Sequence, residues 1–212
     1  FANQLNKSED ASGVTSYTYD LDGNRTRKET PSELTDYTYD AAGRMTLAEP
    51  IAGNVEFVYN GLGQRVTKET PTETVQFVYD FQRLLQETDA QDDVQKQYTF
   101  APEDYGQLVS EHNDLEDASS FYNCDGQWST NALLDADETA TDRYRYRAFG
   151  LEQFHGGNSE NPFTFVGKQG YYRDPELELY FLGMSGNGAA QGGRFYDPAA
   201  GRFVTADPIG YN

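Results

Sequence analysis

The side chains of this 212-residue chain that could do chemistry are mainly carboxylates: Asp and Glu number 35, His occurs twice and Cys once. Two carboxylates held a few ångströms apart share a proton, because both cannot ionise cheaply. One then acts as a base, while the other polarises a carbonyl. The Asp-Pro pairs in "YYRDPE" and "TADPIGY" are candidates. By pattern alone such pairs are more typical of turns, since Asp caps the local backbone and Pro removes a donor.

Other residue types give no comparable site. "DLDGN" and "CDGQ" lack the twelve-residue calcium-loop pattern with its closing Glu. His112 and His155 have no metal-ligand spacing and are expected at the surface. Cys124 has no neighbouring base or cation to lower its pKa, so we expect an inert small hydrophobe, and we expect Trp128 in the core. We therefore predict no metal and no cofactor.

Composition limits the class of protein. The formal charge is −19 and the pI is near 4.3, which disfavours nucleic acid and anionic membrane surfaces as partners. With 16 Tyr and 13 Phe, aromatic rings must supply much of the buried area. One Cys allows no internal disulfide, and no apolar run has the length of a membrane span. A start at Phe rather than Met suggests a piece of a longer polypeptide.

Pairs of aromatic residues two positions apart recur along the chain. The pairs start at intervals of 20, 20, 20 and 21 residues, and they are Tyr17/Tyr19, Tyr37/Tyr39, Phe57/Tyr59, Phe77/Tyr79 and Tyr98/Phe100. On a strand both rings of a pair share one face, whereas on a helix they diverge by about 200°. The surrounding Thr, Val and Tyr residues also favour strands.

A turn follows each of the first three pairs. In "YDLDGNR", "YDAAGRM" and "YNGLGQR" an Asp or Asn stands three residues before a Gly, as in a tight turn. The chain then returns and turns again at "TPSE" or "TPTE". Each repeat is therefore predicted to be an antiparallel hairpin, and stacked hairpins of about 20 residues form a spiralling all-β sheet.

These motifs resemble a known family. The pattern Y-x-Y-D-x-x-G-[RQ] is similar to the YD repeat of Rhs proteins, toxin-complex C subunits and teneurins. The segment "FTFVGKQGYYRDPELELYFLG" and the later "RFYDPAAGRFVTADPIGYN" resemble the Rhs-repeat-associated core domain. We predict a hairpin array over 1–150, a loop over 151–162 and this core domain over 163–212.

The resemblance implies a β-ribbon that closes into a hollow shell around a variable toxin encoded downstream. It also implies an aspartyl autoprotease formed by Asp174 and Asp207, which would cut the Tyr211–Asn212 bond. Three features depart from the family pattern: "PELELY" lacks the usual Gly, 185–193 is a Gly-rich insertion, and Tyr211 replaces Leu. The insertion lengthens the spacing of the two aspartates to 33 positions, and a Gly-rich loop can accommodate that.

Two functions from different classes stay open at this point. The first is the C-terminal part of a toxin-enclosing shell, secreted or at the bacterial cell surface, whose partners are its own cargo and other shell or secretion-system proteins. The second is a surface module for adhesion or for glycan or protein binding, or an inactive Rhs copy. Any enzyme activity would be self-cleavage. The sequence does not specify the cargo, target cell, export route or oligomeric state.

Overall fold

The structure, a computed structural model, describes residues 4–81, 83–102, 107–183 and 193–206. These residues form two antiparallel sheets and one short 3-10 helix, Gly167–Gln169. The predicted all-β class is confirmed. No helix in this part of the chain is long and apolar enough to cross a bilayer.

The larger sheet has 15 strands in strict sequence order, each hydrogen-bonded to the next. The strands are β1 Lys7–Asp10, β2 Gly13–Tyr19, β3 Arg25–Glu29, β4 Leu34–Tyr39, β5 Met45–Glu49, β6 Val55–Tyr59, β7 Arg65–Glu69, β8 Thr74–Asp80, β9 Arg83–Thr88, β10 Val94–Phe100, β11 Leu108–Asn113, β12 Ala118–Cys124, β13 Thr130–Leu134, β14 Ala140–Tyr146 and β15 Glu152–Gly156. The predicted array of stacked hairpins is thus a continuous ribbon.

The aromatic pairs join each hairpin to the one before it. The first ring of each pair is buried, with 4–6% of the residue's surface exposed in all five pairs. In four repeats the second member is a tyrosine whose hydroxyl donates to a backbone carbonyl 14 residues earlier, as Tyr59 does to Met45 at 2.8 Å. The 20-residue period therefore fixes both a packing position and a hydrogen bond between repeats.

Six turns of the ribbon, three of them directly after aromatic pairs, share one geometry. The side-chain Oδ1 of the first residue accepts the backbone N–H groups two and four residues ahead, at Asp20, Asp40, Asn60, Asp89, Asp125 and Asp135. The fourth residue has positive φ, for example 90° at Gly23. Trp128 occupies this position after Asp125 with φ 66°. It is 44% exposed, so its prediction as a core residue was wrong, because the left-handed turn position holds it away from the sheet.

The smaller sheet has four strands in sequence order: β16 Tyr171–Asp174, β17 Leu179–Leu182, β18 Arg194–Asp197 and β19 Arg202–Phe203. It packs against the aromatic face of the ribbon, where Phe57 meets Phe195 with ring centroids 5.1 Å apart and Phe77 meets Tyr172 at 5.5 Å. One hydrophobic core spans both sheets. The Gly-rich insertion predicted at 185–193 lies almost entirely outside the described residues. The strands before and after it in the sequence, β17 and β18, pair with each other.

The segment 151–162 was expected to be a loop. Its first part is instead strand β15, which pairs with β14 and places Tyr144 opposite His155. The segment "EQFHG" is short and mostly polar, so its composition does not favour a strand. It forms a strand because it pairs with the free edge of β14. The ribbon therefore continues to residue 156.

Candidate functional site

Asp174 ends β16 and lies at the interface of the two sheets. It is 0% exposed, and its Oδ2 accepts a hydrogen bond from Nη1 of Arg65 at 2.5 Å. Its other oxygen, Oδ1, makes no hydrogen bond with the residues that the structure describes and lies 3.8 Å from Nζ of Lys68. Lys68 in turn pairs with Glu176 at 2.9 Å. One carboxylate oxygen is thus held by an ion pair, and the other is buried but not hydrogen-bonded.

Arg65 is the first residue of β7, and its side chain crosses from the ribbon to the smaller sheet. Its guanidinium carbon lies 4.3 to 5.3 Å from the centroids of four rings, Phe57, Phe77, Tyr172 and Phe181. Two of these rings belong to the ribbon and two to the smaller sheet. Such cation–π contacts are strongest when they are desolvated, and Arg65 is 1% exposed. Arg65 therefore links the two sheets in two ways, through its ion pair with Asp174 and through the contacts of its planar guanidinium with rings of both sheets.

Arg25, the first residue of β3, makes the same kind of pair two repeats earlier. Its Nη1 donates to Oδ2 of Asp197 at 2.6 Å, and both side chains are buried. The other oxygen of Asp197 accepts the backbone N–H groups of Ala199 and Ala200 at 2.9 and 3.0 Å. Both oxygens of Asp197 are therefore hydrogen-bonded, whereas among the described residues only Oδ2 of Asp174 is.

This difference separates the acidities of the two aspartates. Burial raises the pKa of the Asp174 carboxyl, and the opposing charges of Arg65 and Lys68 do not fully cancel that effect. Burial also acts to raise the pKa of Asp197. At Asp197, however, the charges of Arg25 and Lys28 and the hydrogen bonds to the carboxylate outweigh burial, so the pKa of Asp197 is lowered. A buried carboxyl with a raised pKa, one of whose oxygens makes no hydrogen bond within the described part of the chain, has the character of a functional group.

The other residues of the predicted cleavage site, Asp207, Tyr211 and Asn212, lie outside the described residues. The described chain ends beside β3, where the N–H of Arg25 donates to the carbonyl of Val204. Asp174 is on β16, at the opposite edge of the smaller sheet from β19. Three strand spacings amount to roughly 14 Å. Of the two predicted aspartates, the structure thus places Asp174, in the interface between the two sheets.

The remaining candidate residues have local partners. Cys124 is partly buried, and burial raises the pKa of its thiol, in keeping with an unreactive side chain. Nδ1 of His112 lies 3.0 Å from Oγ of Ser119, and Nε2 of His155 lies 2.8 Å from Oδ1 of the buried Asp142. Among the residues that the structure describes, no three His, Cys, Asp or Glu side chains are arranged to hold a metal ion.

The two arginines at the sheet interface were not predicted as functional residues. A signal was present, because "GNR" and "GQR" place a basic residue directly after each turn, at Arg25 and Arg65. Met45 stands at the equivalent position of the repeat between them and is also buried. The pattern alone does not show that this position points into the core, where an arginine requires a buried partner.

Comparisons with known proteins match this architecture. Residues 3–212 match the family model described as Teneurin YD-shell. The curated tRNA3(Ser)-specific nuclease WapA of Bacillus spizizenii is 31% identical over 129 residues, which make up 61% of this chain and 5% of that protein.

Solved structures show the same fold at 14–15% identity. The crystal structure of TcdB2-TccC3-Cdc42 and the Photorhabdus luminescens Tc holotoxin pore each have a TM-score of 0.61. Each match covers 93% of this chain and 12% of the solved chain. The chain thus spans a small fraction of the relatives it matches. Its ribbon of hairpins is part of a shell, and the chain belongs to the teneurin YD-shell family.

Proposed function

We propose that this chain forms the C-terminal part of a YD-repeat shell that encloses a toxin encoded downstream of it. The observation that carries the proposal is the family match over residues 3–212 on an uninterrupted ribbon of hairpins. One solved relative is described as TcdB2-TccC3 without its hypervariable C-terminal region. A variable segment at the C-terminal end of that protein supports the same order here, with the shell before the cargo.

The proposal divides the chain into a wall and a closing unit. The wall is the hairpin array of 1–150, extended by β15, and the closing unit is 163–212, whose described part contains the 3-10 helix and the smaller sheet. Because the smaller sheet covers the aromatic face of the ribbon, it would lie on the inner side of the wall. The net charge of −19 would favour a basic cargo without specific contacts.

We further propose that the closing unit cuts its own chain after the "DPIGY" motif, with Asp174 and Asp207 as the acid–base pair. Two observations support this role: burial raises the pKa of Asp174, which helps such a carboxyl retain a proton that the pair would share, and its Oδ1 makes no hydrogen bond with the described residues. The proposal carries a geometric requirement. The chain end must approach β16 from its described position beside β3 for the two carboxyls to share that proton.

The parent protein, with its natural downstream segment, tests self-cleavage directly. Intact-mass spectrometry should show a chain ending at Tyr211 and a separate fragment beginning at Asn212. Asp207→Asn and Asp174→Asn should each give an uncut chain. Asp197→Asn is the matched control, since it removes a carboxylate from an equally buried arginine pair that has no proposed catalytic role.

Each result of this comparison has a distinct meaning. Loss of cleavage in Asp174→Asn and Asp197→Asn alike would show that Asp174 acts only through folding. An uncut wild-type chain would reject self-cleavage and leave the shell intact as a structure. Enclosure itself predicts that the cut fragment stays with the shell and resists added protease until the shell is unfolded. A fragment digested at the rate of a free polypeptide would contradict it and favour an adhesion module.

We also propose secretion or display at the bacterial surface, with other shell or secretion-system proteins as partners. Fractionation of the natural host tests this location. Parent protein found outside the cell or on its surface supports the proposal, and protein confined to the cell interior in growing cultures contradicts it.

A further inference from the structure

The outer face of the ribbon, opposite the smaller sheet, is acidic in the earlier repeats. The residues that alternate with the buried Tyr37 and Phe57 point to this face, and they include two facing acidic pairs, Asp36 with Glu49 and Glu56 with Glu69. An arginine on this face, Arg27, forms an ion pair with Asp36 at 2.6 Å. Positive charge on this part of the outer face is thus neutralised.

The last four strands of the ribbon differ in this respect. Strands β12 to β15 contain two carboxylates, Asp142 and Glu152, and both lie on the inner face. Asp142 is opposite the fully buried Leu133, and Glu152 lies 3.8 Å from Arg173 of the smaller sheet. The outer face of these strands therefore carries no carboxylate.

Exposed arginines lie on this acid-free face. Tyr and Arg alternate in "RYRYR", so the burial of Tyr144 on the inner face directs Arg143 and Arg145 outward, and Arg147 follows at the turn. All three arginines are exposed, and none of their side chains forms an ion pair or a hydrogen bond with the residues that the structure describes. They form a positive patch on a chain whose net charge is −19.

Phe154 holds one of these arginines over the last strand. It is opposite Arg145 in the pairing of β14 with β15, it is 41% exposed, and its ring centroid lies 4.7 Å from the Arg145 guanidinium carbon. The ring lies across Gly156, where a Cβ atom would come within 2.6 Å of it. Arg145 thus extends from β14 over β15, and stacking on a ring orients a guanidinium without using its N–H donors.

Strand β15 is the last strand of the larger sheet and pairs with β14 alone. Within the described part of the chain, no strand pairs with its other edge, because the chain leaves the ribbon after Gly156. Every second residue of an edge strand directs its N–H and C=O away from the sheet, so such an edge can pair with another extended chain. A strand added there would lie about 4.8 Å beyond β15, next to the Arg145 guanidinium.

We propose that the β15 edge binds an extended acidic segment of a partner protein, which adds to the sheet as a further strand and places carboxylates beside Arg143 and Arg145. The free arginines supply charge complementarity, and the edge supplies main-chain hydrogen bonds. A nucleic acid would use only the arginines, and the net charge of −19 would repel a long polyanion. This interaction goes beyond the shell role and does not depend on self-cleavage.

Titration calorimetry of the full chain with a blocked peptide of sequence TETETET tests the site, and the peptide TQTQTQT is the neutral isostere. We expect one binding site for the glutamate peptide and about tenfold weaker binding of the glutamine peptide, because the latter forms no ion pair with the arginines. Hydrogen–deuterium exchange of β15 amides should slow when the glutamate peptide binds, because an added strand protects that edge.

Double variants of equal charge separate the site from the field of the whole chain. Arg143→Gln with Arg145→Gln should weaken binding of the glutamate peptide about tenfold. Lys7→Gln with Arg27→Gln changes β1 and β3, at the opposite end of the strand order, and should weaken it less than about twofold. Phe154→Leu keeps every charge but removes the ring that orients Arg145, and it should weaken binding about threefold. Circular dichroism of each variant establishes that its sheets are intact.

Four outcomes would overturn the proposal. The first is absence of glutamate-peptide binding at low salt, and the second is equal weakening by the two double variants, which would reduce the effect to diffuse attraction. The third is tighter binding of a thymidine heptanucleotide than of the peptide, which would identify a nucleic-acid surface. The fourth is dimerisation of the chain that Arg143→Gln with Arg145→Gln abolishes, which would assign the edge to a second copy.

Discussion

Replacing Arg65 by Met should destabilise the protein strongly, because it leaves Asp174 buried without its main counter-ion. Arg65 is 1% exposed and Asp174 is 0% exposed. Removing one member of such a pair typically costs about 3–5 kcal/mol. Lys68, 3.8 Å from Oδ1 of Asp174, supplies partial compensation, and Met fills part of the space between the rings. The expected loss is therefore about 3 kcal/mol, at the lower end of that range.

The matched control is the exposed pair Arg27–Asp36. Its closest N–O distance is 2.6 Å, similar to that of the buried pair, but its side chains are 46% and 36% exposed. Arg27→Met should therefore cost much less than Arg65→Met, because water screens an exposed ion pair. Both variants are compared with the wild-type chain by urea unfolding followed by circular dichroism. If Arg65→Met does not fold, Arg65→Lys, which keeps the charge but loses the planar contact with the rings, should show an intermediate loss of about 1–2 kcal/mol.

The double variant Arg65→Met with Asp174→Asn isolates the electrostatic part of this effect. Because the uncompensated carboxylate is removed together with its partner, the double variant should be more stable than Arg65→Met alone. Two results would refute the reasoning. One is an Arg65→Met loss no larger than that of Arg27→Met, and the other is a double variant that simply sums the two single losses.

Three further changes have expected outcomes. The pKa of Asp197 is lowered below its ordinary 3.8, so its pair with Arg25 stabilises the fold above about pH 4, and this contribution is lost as the pH falls through the lowered value. Acid titration of Asp197→Asn should lack that part of the pH dependence, and an unchanged acid transition would contradict it. Glu178 has φ 54° and stands four residues after Asp174, and Gly201 has φ 65° and stands four residues after Asp197. Because glycine adopts positive φ without strain, Glu178→Gly should leave stability unchanged or raise it by up to about 1 kcal/mol. Gly201→Ala should lower stability by about 1 kcal/mol or more for the same reason. Thermal unfolding that ranks the two variants in the opposite order would contradict the claim that these positions favour glycine. Tyr59→Phe removes one hydrogen bond between repeats and should cost about 1 kcal/mol in urea unfolding, whereas no loss would show that the ring alone joins the repeats.

Much of the ribbon could be predicted from the sequence, because its determinants are local. Rings two residues apart require a strand, and an Asp followed three residues later by Gly specifies the turn. The turn at Asp125 shows where this reasoning failed, since Trp128 adopts the left-handed position without being a glycine. The hydrogen-bonding Asp, rather than the Gly, is the stronger signal there.

The site was less predictable because it depends on contacts between distant segments. Arg65 and Asp174 are 109 positions apart, and Arg25 and Asp197 are 172 apart. The sequence does not show which turn-following position faces the second sheet. Nor does it show that Asp197, rather than Asp174, receives two backbone N–H groups. That difference in hydrogen bonding, and not the Asp-Pro motif itself, sets the two carboxyls apart.

Hydrogen–deuterium exchange on the wild-type chain tests most directly whether the smaller sheet shares a core with the ribbon. The account predicts that amides of β16–β18 exchange as slowly as those of the central strands β5–β9, and that Arg65→Met speeds exchange in β16 and β17 first. Rapid exchange throughout β16–β18, while β5–β9 remain protected in the wild-type chain, would contradict the account.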